Sequence, residues 1–182
     1  MKMKIKNYKK IIICFSLVVG MFSCTDVEES IYSDLTTDNF YRNELELTQA
    51  VLRPYTHMQA WLSYSGERGY FYHNELSADQ LAWPQKGRHG YDSGDHIRQH
   101  YHTWTPQEVR LQAAWSLMWT GVGYINNAIE AIEAVDPEDP EVEISEEKLA
   151  AIVAESRVLR AYHYMKIMDL WGNVPIVTEI AR

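Results

Sequence analysis

Two long stretches, residues 107–134 and 146–171, carry apolar side chains at helical spacing and are separated by only a short acid-rich segment. A pair of this kind folds as two antiparallel helices that bury their apolar faces against each other and against a third element. In the first stretch Trp115, Met118, Trp119, Val122, Ile129 and Ile132 share one face, and Thr105-Pro106 stands just ahead of it. In the second, Leu149, Val153, Ser156, Ile167 and Trp171 share a face. Ser145 sits at its N-cap position, Glu146 and Glu147 fall in the first turn where the helix dipole favours acids, and Gly172 and Pro175 end it. Residues 44–62 supply the third element, with Asn43 and Glu46 spaced as a capping box and Leu47, Val51, Tyr55, Met58 and Leu62 recurring at helical spacing. Pro54 lies inside it and predicts a kink or a break.

Arg160 falls in the middle of the second apolar face, and Asn126 holds the same central place on the first. A buried guanidinium without partners is too costly to keep, so Arg160 needs acceptors. Across an antiparallel hairpin these are Asn126 and a helix-end carbonyl, which makes Arg160 an architectural residue that fixes how the helices dock. The two faces match at an offset of 34 residues, Trp115 with Leu149, Trp119 with Val153 and Asn126 with Arg160. That is the tetratricopeptide period, yet here the interval holds one helix and a loop, so the pair is a hairpin of that style rather than a repeat. The connector has seven acids in residues 136–147. It lacks the glycine and alternating ligand spacing of a calcium loop, so it reads as solvated.

The start of the chain concerns export. Lys2, Lys4, Lys6, Lys9 and Lys10 precede an apolar run from Ile11 to Phe22, then Ser23 and Cys24. This is a signal peptide over 1–23, too short for a spanning helix. Its removal takes away five lysines and no acid, which moves the net charge from −8 to −13. Such an acidic surface excludes nucleic acid as a partner. Cys14 and Cys24 are the two cysteines, so the mature chain holds one and forms no internal disulfide. "MFSC" resembles a bacterial lipobox with Met21 in place of the usual leucine, which makes Cys24 the lipidated N-terminus. The following "TDVEES" resembles the acidic tag that sends Bacteroidetes lipoproteins to the cell surface, and residues 24–37 read as an acidic tether.

Residues 63–106 read as one long loop rich in glycine, turn residues and aromatics. Sugars offer C–H faces to aromatic rings and hydroxyls to Asp, Asn and Arg, and Trp83, Tyr91 and Trp104 lie here beside Asp79, Asp92 and Arg88. Trp104 is expected to pack the loop onto the helices. For Trp83 and Tyr91 two readings stand, a glycan platform or loop packing. Glu67, Glu75, Asp79 and Asp92 include no spacing that makes a glycosidase pair, so no enzyme is expected. His96, His100 and His102 with Asp92 and Asp95 have the side-chain types of a metal site.

"AAWSLMWTGVGYINNAIEAI" followed by "AESRVLRAYHYMKIMDLWGNVPIV" resembles the SusD/RagB family of Bacteroidetes outer-membrane nutrient-binding lipoproteins. Trp115, Asn126, Arg160, Ala161, Tyr164, Gly172 and Pro175 match its hallmark in order and spacing, and "TTDNFYRNELELTQAV" resembles its first helix. The resemblance implies a mainly all-α fold of tetratricopeptide-like hairpins with a long loop-rich insertion. It makes 38–182 an incomplete SusD-like N-terminal domain, with "PIVTEI" beginning a strand and further helix pairs beyond. It implies structural roles for Trp115, Asn126, Arg160, Gly172 and Pro175. In one subgroup a Trp-Tyr-Asp run follows a glycine-rich turn; here Tyr91 and Asp92 align with it and Gly90 takes the Trp position. Trp83, Arg88, Tyr91 and Asp92 are therefore the candidate ligand residues, with Trp83 replacing the missing aromatic. A histidine pair in that subgroup packs the loop, so no metal or cofactor is expected. The implied function is a lipid-anchored protein on the outer face of the outer membrane. It binds oligosaccharide and delivers it to a TonB-dependent transporter. The alternative is a lipid-anchored helical scaffold that binds peptide or protein. Cys24→Ala should leave an unprocessed or soluble product when membranes are fractionated, and unchanged membrane association would remove the lipid anchor.

Overall fold

The computed structural model describes residues 40–62 and 69–180. Residues 36–182 form a compact unit. The signal peptide, Cys24, the tether and Glu67 lie outside the described residues. In the unit 36–182 the described helices are α1 (Glu44–Leu62), α2 (Tyr70–Ser77), α3 (Asp95–His100), α4 (Val109–Glu133) and α5 (Glu146–Trp171), with a 3₁₀ turn at Asp92–Gly94. The fold is all-α, as the periodicity predicts.

α1 starts as its sequence dictates. Asn43 Oδ1 accepts from the Glu46 N–H at 3.0 Å, while the Glu46 carboxylate accepts from the Arg42 N–H at 2.8 Å. The reciprocal bond thus reaches one residue further back than in the usual capping box. Pro54 is buried and α1 runs through it as one element, so the expected break does not occur. At α5, Ser145 Oγ accepts from the Lys148 N–H at 3.3 Å, and Gly172 leaves the helix at φ 71°. The acidic connector makes its own turns, Asp136 Oδ1 accepting from Glu138 N–H and Asp139 Oδ1 from Glu141 N–H. Its far end ties back to the start of α1, where the Glu143 N–H donates to the Arg42 carbonyl at 2.6 Å.

α4 and α5 pair antiparallel and α1 lies against both. Leu47 and Val51 of α1 meet Ile125, Ile129 and Ile132 of α4 and Leu149, Ile152, Val153 and Leu159 of α5. Trp61, Met118, Val122 and Ile167 extend this core toward the other end of the helices. There the buried His163 donates from Nδ1 to the Leu159 carbonyl at 2.9 Å and accepts at Nε2 from the Trp61 indole at 3.2 Å. Burial pushes the imidazole below its ordinary value, which keeps it in the neutral form this pairing requires. Gly121 makes the approach possible, because a Cβ there would stand 2.7 Å from His163 Nε2.

Asn126 is buried and Arg160 half-buried on the facing helices. Arg160 donates to Asn126 Oδ1 at 2.9 Å and to the Thr178 carbonyl at 3.0 Å. The second acceptor therefore lies in the segment after α5 rather than at a helix end. That segment is not a strand, although "PIVTEI" reads as one, because no described strand stands beside it. Side chains satisfy its backbone instead. The Tyr164 hydroxyl accepts from the Val177 N–H and donates to the Val177 carbonyl, which also accepts from Asn126 Nδ2 at 3.0 Å. Arg160→Ala leaves two acceptors without a donor and should lower stability by about 1–3 kcal/mol. Thermal denaturation of the variant measures this, and an unchanged melting temperature would contradict the architectural role.

Candidate functional site

The stretch read as a loop contains helices. In α2, Tyr72, His73 and Leu76 are buried; in α3, His96 and Gln99 are buried. These few buried side chains hold two helices that are too short to show a period. Between them, Asp92, Ser93 and Gly94 take φ values of 39°, 58° and 81° in succession. The turn is fixed from both sides. Asp92 Oδ2 accepts from His96 Nε2 at 2.7 Å, and Arg98 donates to the Ser93 carbonyl at 2.7 Å. On the other side of the ring, His96 Nδ1 and the Tyr72 hydroxyl share a hydrogen bond at 2.7 Å. The His96 hydrogen bond, with Arg110 3.6 Å away, holds the Asp92 carboxyl below the usual carboxylate range.

Arg98 also pairs with Glu108 and, at 2.6 Å, with Asp95, while Arg110 stands 3.2 Å from Asp95. The Arg98 partnership depresses the Glu108 carboxyl and clamps α3 to the start of α4. The remaining histidines serve separate backbone carbonyls, His100 that of Leu76 and His102 that of Ser77. Among the described residues no group of three or more His, Cys, Asp or Glu is placed to hold a metal ion.

The four candidate ligand residues do not gather into one cavity. Trp83 stacks on His96 with centroids 4.5 Å apart and planes at 9°. Gly90 closes its edge; at φ +79° it leaves space for the indole, and a Cβ would meet the Trp83 ring at 3.1 Å and the Pro84 carbonyl at 2.9 Å. A side chain at position 90 would therefore collide with the Trp83 indole where it now lies. It lines a recess of about 270 Å³ with Lys86 and His89. Arg88 and Tyr91 are exposed beside it, and Asp92 is engaged with His96.

A cavity of about 720 Å³ lies elsewhere, between α2, the start of α4 and the end of α5. Three tryptophans line it. Trp104 is 39% exposed and Trp115 37%, while Trp171 is half-buried and meets Trp115 edge-on at 5.2 Å. Trp104 thus faces an open cavity, contrary to the expected packing role, because residues 101–107 run exposed along the surface, where its ring lies against His102 at 5.1 Å. Trp115 packs on Trp119 as its structural assignment requires, yet leaves part of its ring open. The polar lining comprises Asn74, Ser77, Gln99, Gln112, Ser116 and Asp169, with no Lys or Arg. Burial pushes the His73 imidazole down and keeps it neutral, and Asp169 accepts a hydrogen bond from the Tyr70 hydroxyl. The arrangement offers ring faces, amides and one carboxylate, which suits an uncharged polyhydroxylated ligand. Sequence reasoning missed this site because its walls come from five separated segments. One signal was present. Trp115 near the start of one helix and Trp171 at the end of its antiparallel partner must reach the same end of the hairpin.

Comparisons with known proteins agree with this fold. The SusD-like family model, described as starch-binding associating with outer membrane, matches residues 56–181. A SusD-like protein of Formosa agariphila is 30% identical over 180 residues, covering 97% of this chain. The chain spans only 32% of that relative's length. No solved structure matches it significantly.

Proposed function

The chain belongs to the SusD-like family, and from that premise we propose that it is a glycan-binding lipoprotein of the outer membrane. Family members are described as starch-binding in association with that membrane, which supports both the ligand class and the location. The observation that carries the reading is the cavity where Trp104, Trp115 and Trp171 stand among amide and hydroxyl side chains. A pyranose ring stacks its C–H face on an indole while its hydroxyls reach Asn74, Gln112 and Asp169. Binding of this kind needs no chemistry, only a preformed surface. In the wider reading Cys24 carries the lipid, the domain from residue 38 onward stands on the outer face, and captured oligosaccharide passes to a TonB-dependent transporter. The turn holding Trp83, Arg88, Tyr91 and Asp92 is a second candidate contact, since Arg88 and Tyr91 are exposed there. The same tryptophan cavity suits a peptide with aromatic side chains, which keeps the scaffold reading as the alternative.

A panel of soluble polysaccharides and peptides, screened against the whole protein, identifies the ligand class. With that ligand, Trp104→Ala should weaken binding about five- to a hundred-fold, since an aromatic contact at a binding site is worth roughly 1–3 kcal/mol. The melting temperature should stay near that of the unaltered protein, because Trp104 is partly exposed and belongs to neither core cluster. Full affinity in Trp104→Ala together with loss in Tyr91→Ala would move the site to the turn. Binding of peptides and of no polysaccharide would favour the scaffold.

A further inference from the structure

One turn carries positive charge that the fold does not answer. Among the described residues the other lysines and arginines are engaged. Arg42 pairs with Glu141, Lys148 with Glu44 and Arg157 with Glu133, while Arg98 and Arg110 share Asp95. Arg160 holds Asn126, and Arg53 and Lys166 lie over the rings of Tyr124 and Tyr70. Lys86 and Arg88 are exposed, and neither side chain meets an acid, amide or ring among the described residues. Residues 80–91 contain no Asp or Glu, in a chain whose net charge is −8. The next carboxylate along the chain, Asp92, is held by His96 at 2.7 Å and Arg110 at 3.6 Å.

The turn is set before any ligand arrives. Lys86 and His89 exchange both backbone hydrogen bonds, at 2.8 and 3.0 Å, around a tip made of Gly87 and Arg88. Gly87 at φ +62° permits so tight a tip, and Gln85 Nε2 donates to its carbonyl at 2.9 Å. Directly paired residues place their side chains on one face, roughly 5 Å apart. Lys86 and His89 accordingly border the same recess, beside the Trp83 indole that His96 backs. We propose that this turn binds one acidic sugar unit, its carboxylate or sulfate held by Lys86 and Arg88 and its ring set against Trp83. The assignment rests on the glycan-binding reading and gives the second contact a ligand class of its own. Size suits a single ring, because about 270 Å³ is below the roughly 300–1,000 Å³ of a pocket for a drug-sized ligand. Charge separates the two sites. The tryptophan cavity holds Asp169 and no cation, whereas the turn holds cations and no free acid. The acidic remainder of the surface does not forbid this, since exposed charges more than about 10 Å away are largely screened. Two cations neutralise too few phosphates for a nucleic acid, and the indole adds a face that simple anions do not use.

Paired oligosaccharides that differ only in charge test the assignment. Oligogalacturonate and sulfated galactan tetrasaccharides are titrated into the whole protein by calorimetry, beside the same chains after carboxyl reduction or desulfation. At least one charged form should bind more tightly than its neutral counterpart, and which one does distinguishes carboxylate from sulfate. Lys86→Gln and Arg88→Gln should each weaken that binding about three- to tenfold, and more together, since both cations are exposed and screened. Lys86→Arg should keep it, Trp104→Ala should leave it unchanged, and the melting temperature should not move in either glutamine variant. Equal affinity for charged and neutral forms would overturn the assignment, as would loss in Trp104→Ala with full affinity in the glutamine variants. Equal competition by inorganic polyphosphate, which has charge and no ring, would reduce the turn to a general anion patch and overturn it too. Binding of neutral polysaccharide and of no acidic one would overturn this assignment alone. Binding of no glycan at all would overturn the glycan-binding reading with it.

Discussion

The close approach of α4 and α5 at Gly121 governs what the rest of the fold can do. The His163 ring lies so near that a methyl group at 121 would stand 2.7 Å from Nε2. Alanine improves a helix by about 1 kcal/mol over glycine, but overpacking a core costs about 1–3 kcal/mol, so glycine prevails at this position. The same Nε2 accepts from Trp61, which locks α1 onto the pair, and that bond exists only while the imidazole is neutral. Its folded pKa lies below the ordinary histidine value. This contribution to stability is therefore complete above that value and is lost as the pH falls from it toward the folded pKa. Once the register is set at Gly121, Arg160 falls opposite Asn126 and Trp171 arrives beside Trp115. The aromatic cavity is a consequence of the helix register.

The three long helices were legible because each carries several turns of periodic apolar residues, and α1 and α5 also open on recognisable caps. The span of α5 and the pairing of Arg160 with Asn126 both follow from winding the sequence at helical pitch. The insertion was not legible, and the reason is physical. α2 has eight residues and α3 six, and burial of Tyr72, His73, Leu76, His96 and Gln99 stabilises them rather than any local pattern. The fates of Trp83 and Trp104 were equally hidden. Which indole is covered depends on His96 and Gly90 for one, and on the exposed course of residues 101–107 for the other. Gly90 did carry a hint, since its left-handed φ and the nearness of Trp83 leave no room for a side chain there.

Charge and shape together narrow the ligand. The chain is acidic, with a net charge of −8, and the cavity adds Asp169 without a lysine or arginine to balance an anion. Sulfated and uronic sugars would meet the Asp169 carboxylate there, held by the Tyr70 hydroxyl, whereas neutral sugars meet ring faces and hydrogen-bonding groups. The tryptophans do two tasks at once. Trp115 packs on Trp119 and Trp171 and leaves an open part toward the cavity, so the platform is rigid before any ligand arrives. A preformed surface of this kind loses little entropy on binding.

The most direct test of this account is a crystal structure of the complete protein with an oligosaccharide that it binds. The account predicts a sugar ring against Trp104 and Trp115 with a hydroxyl bonded to Asp169 or Asn74. A ligand seated instead on Trp83 and Tyr91, with the tryptophan cavity closed over by other parts of the chain, would contradict it.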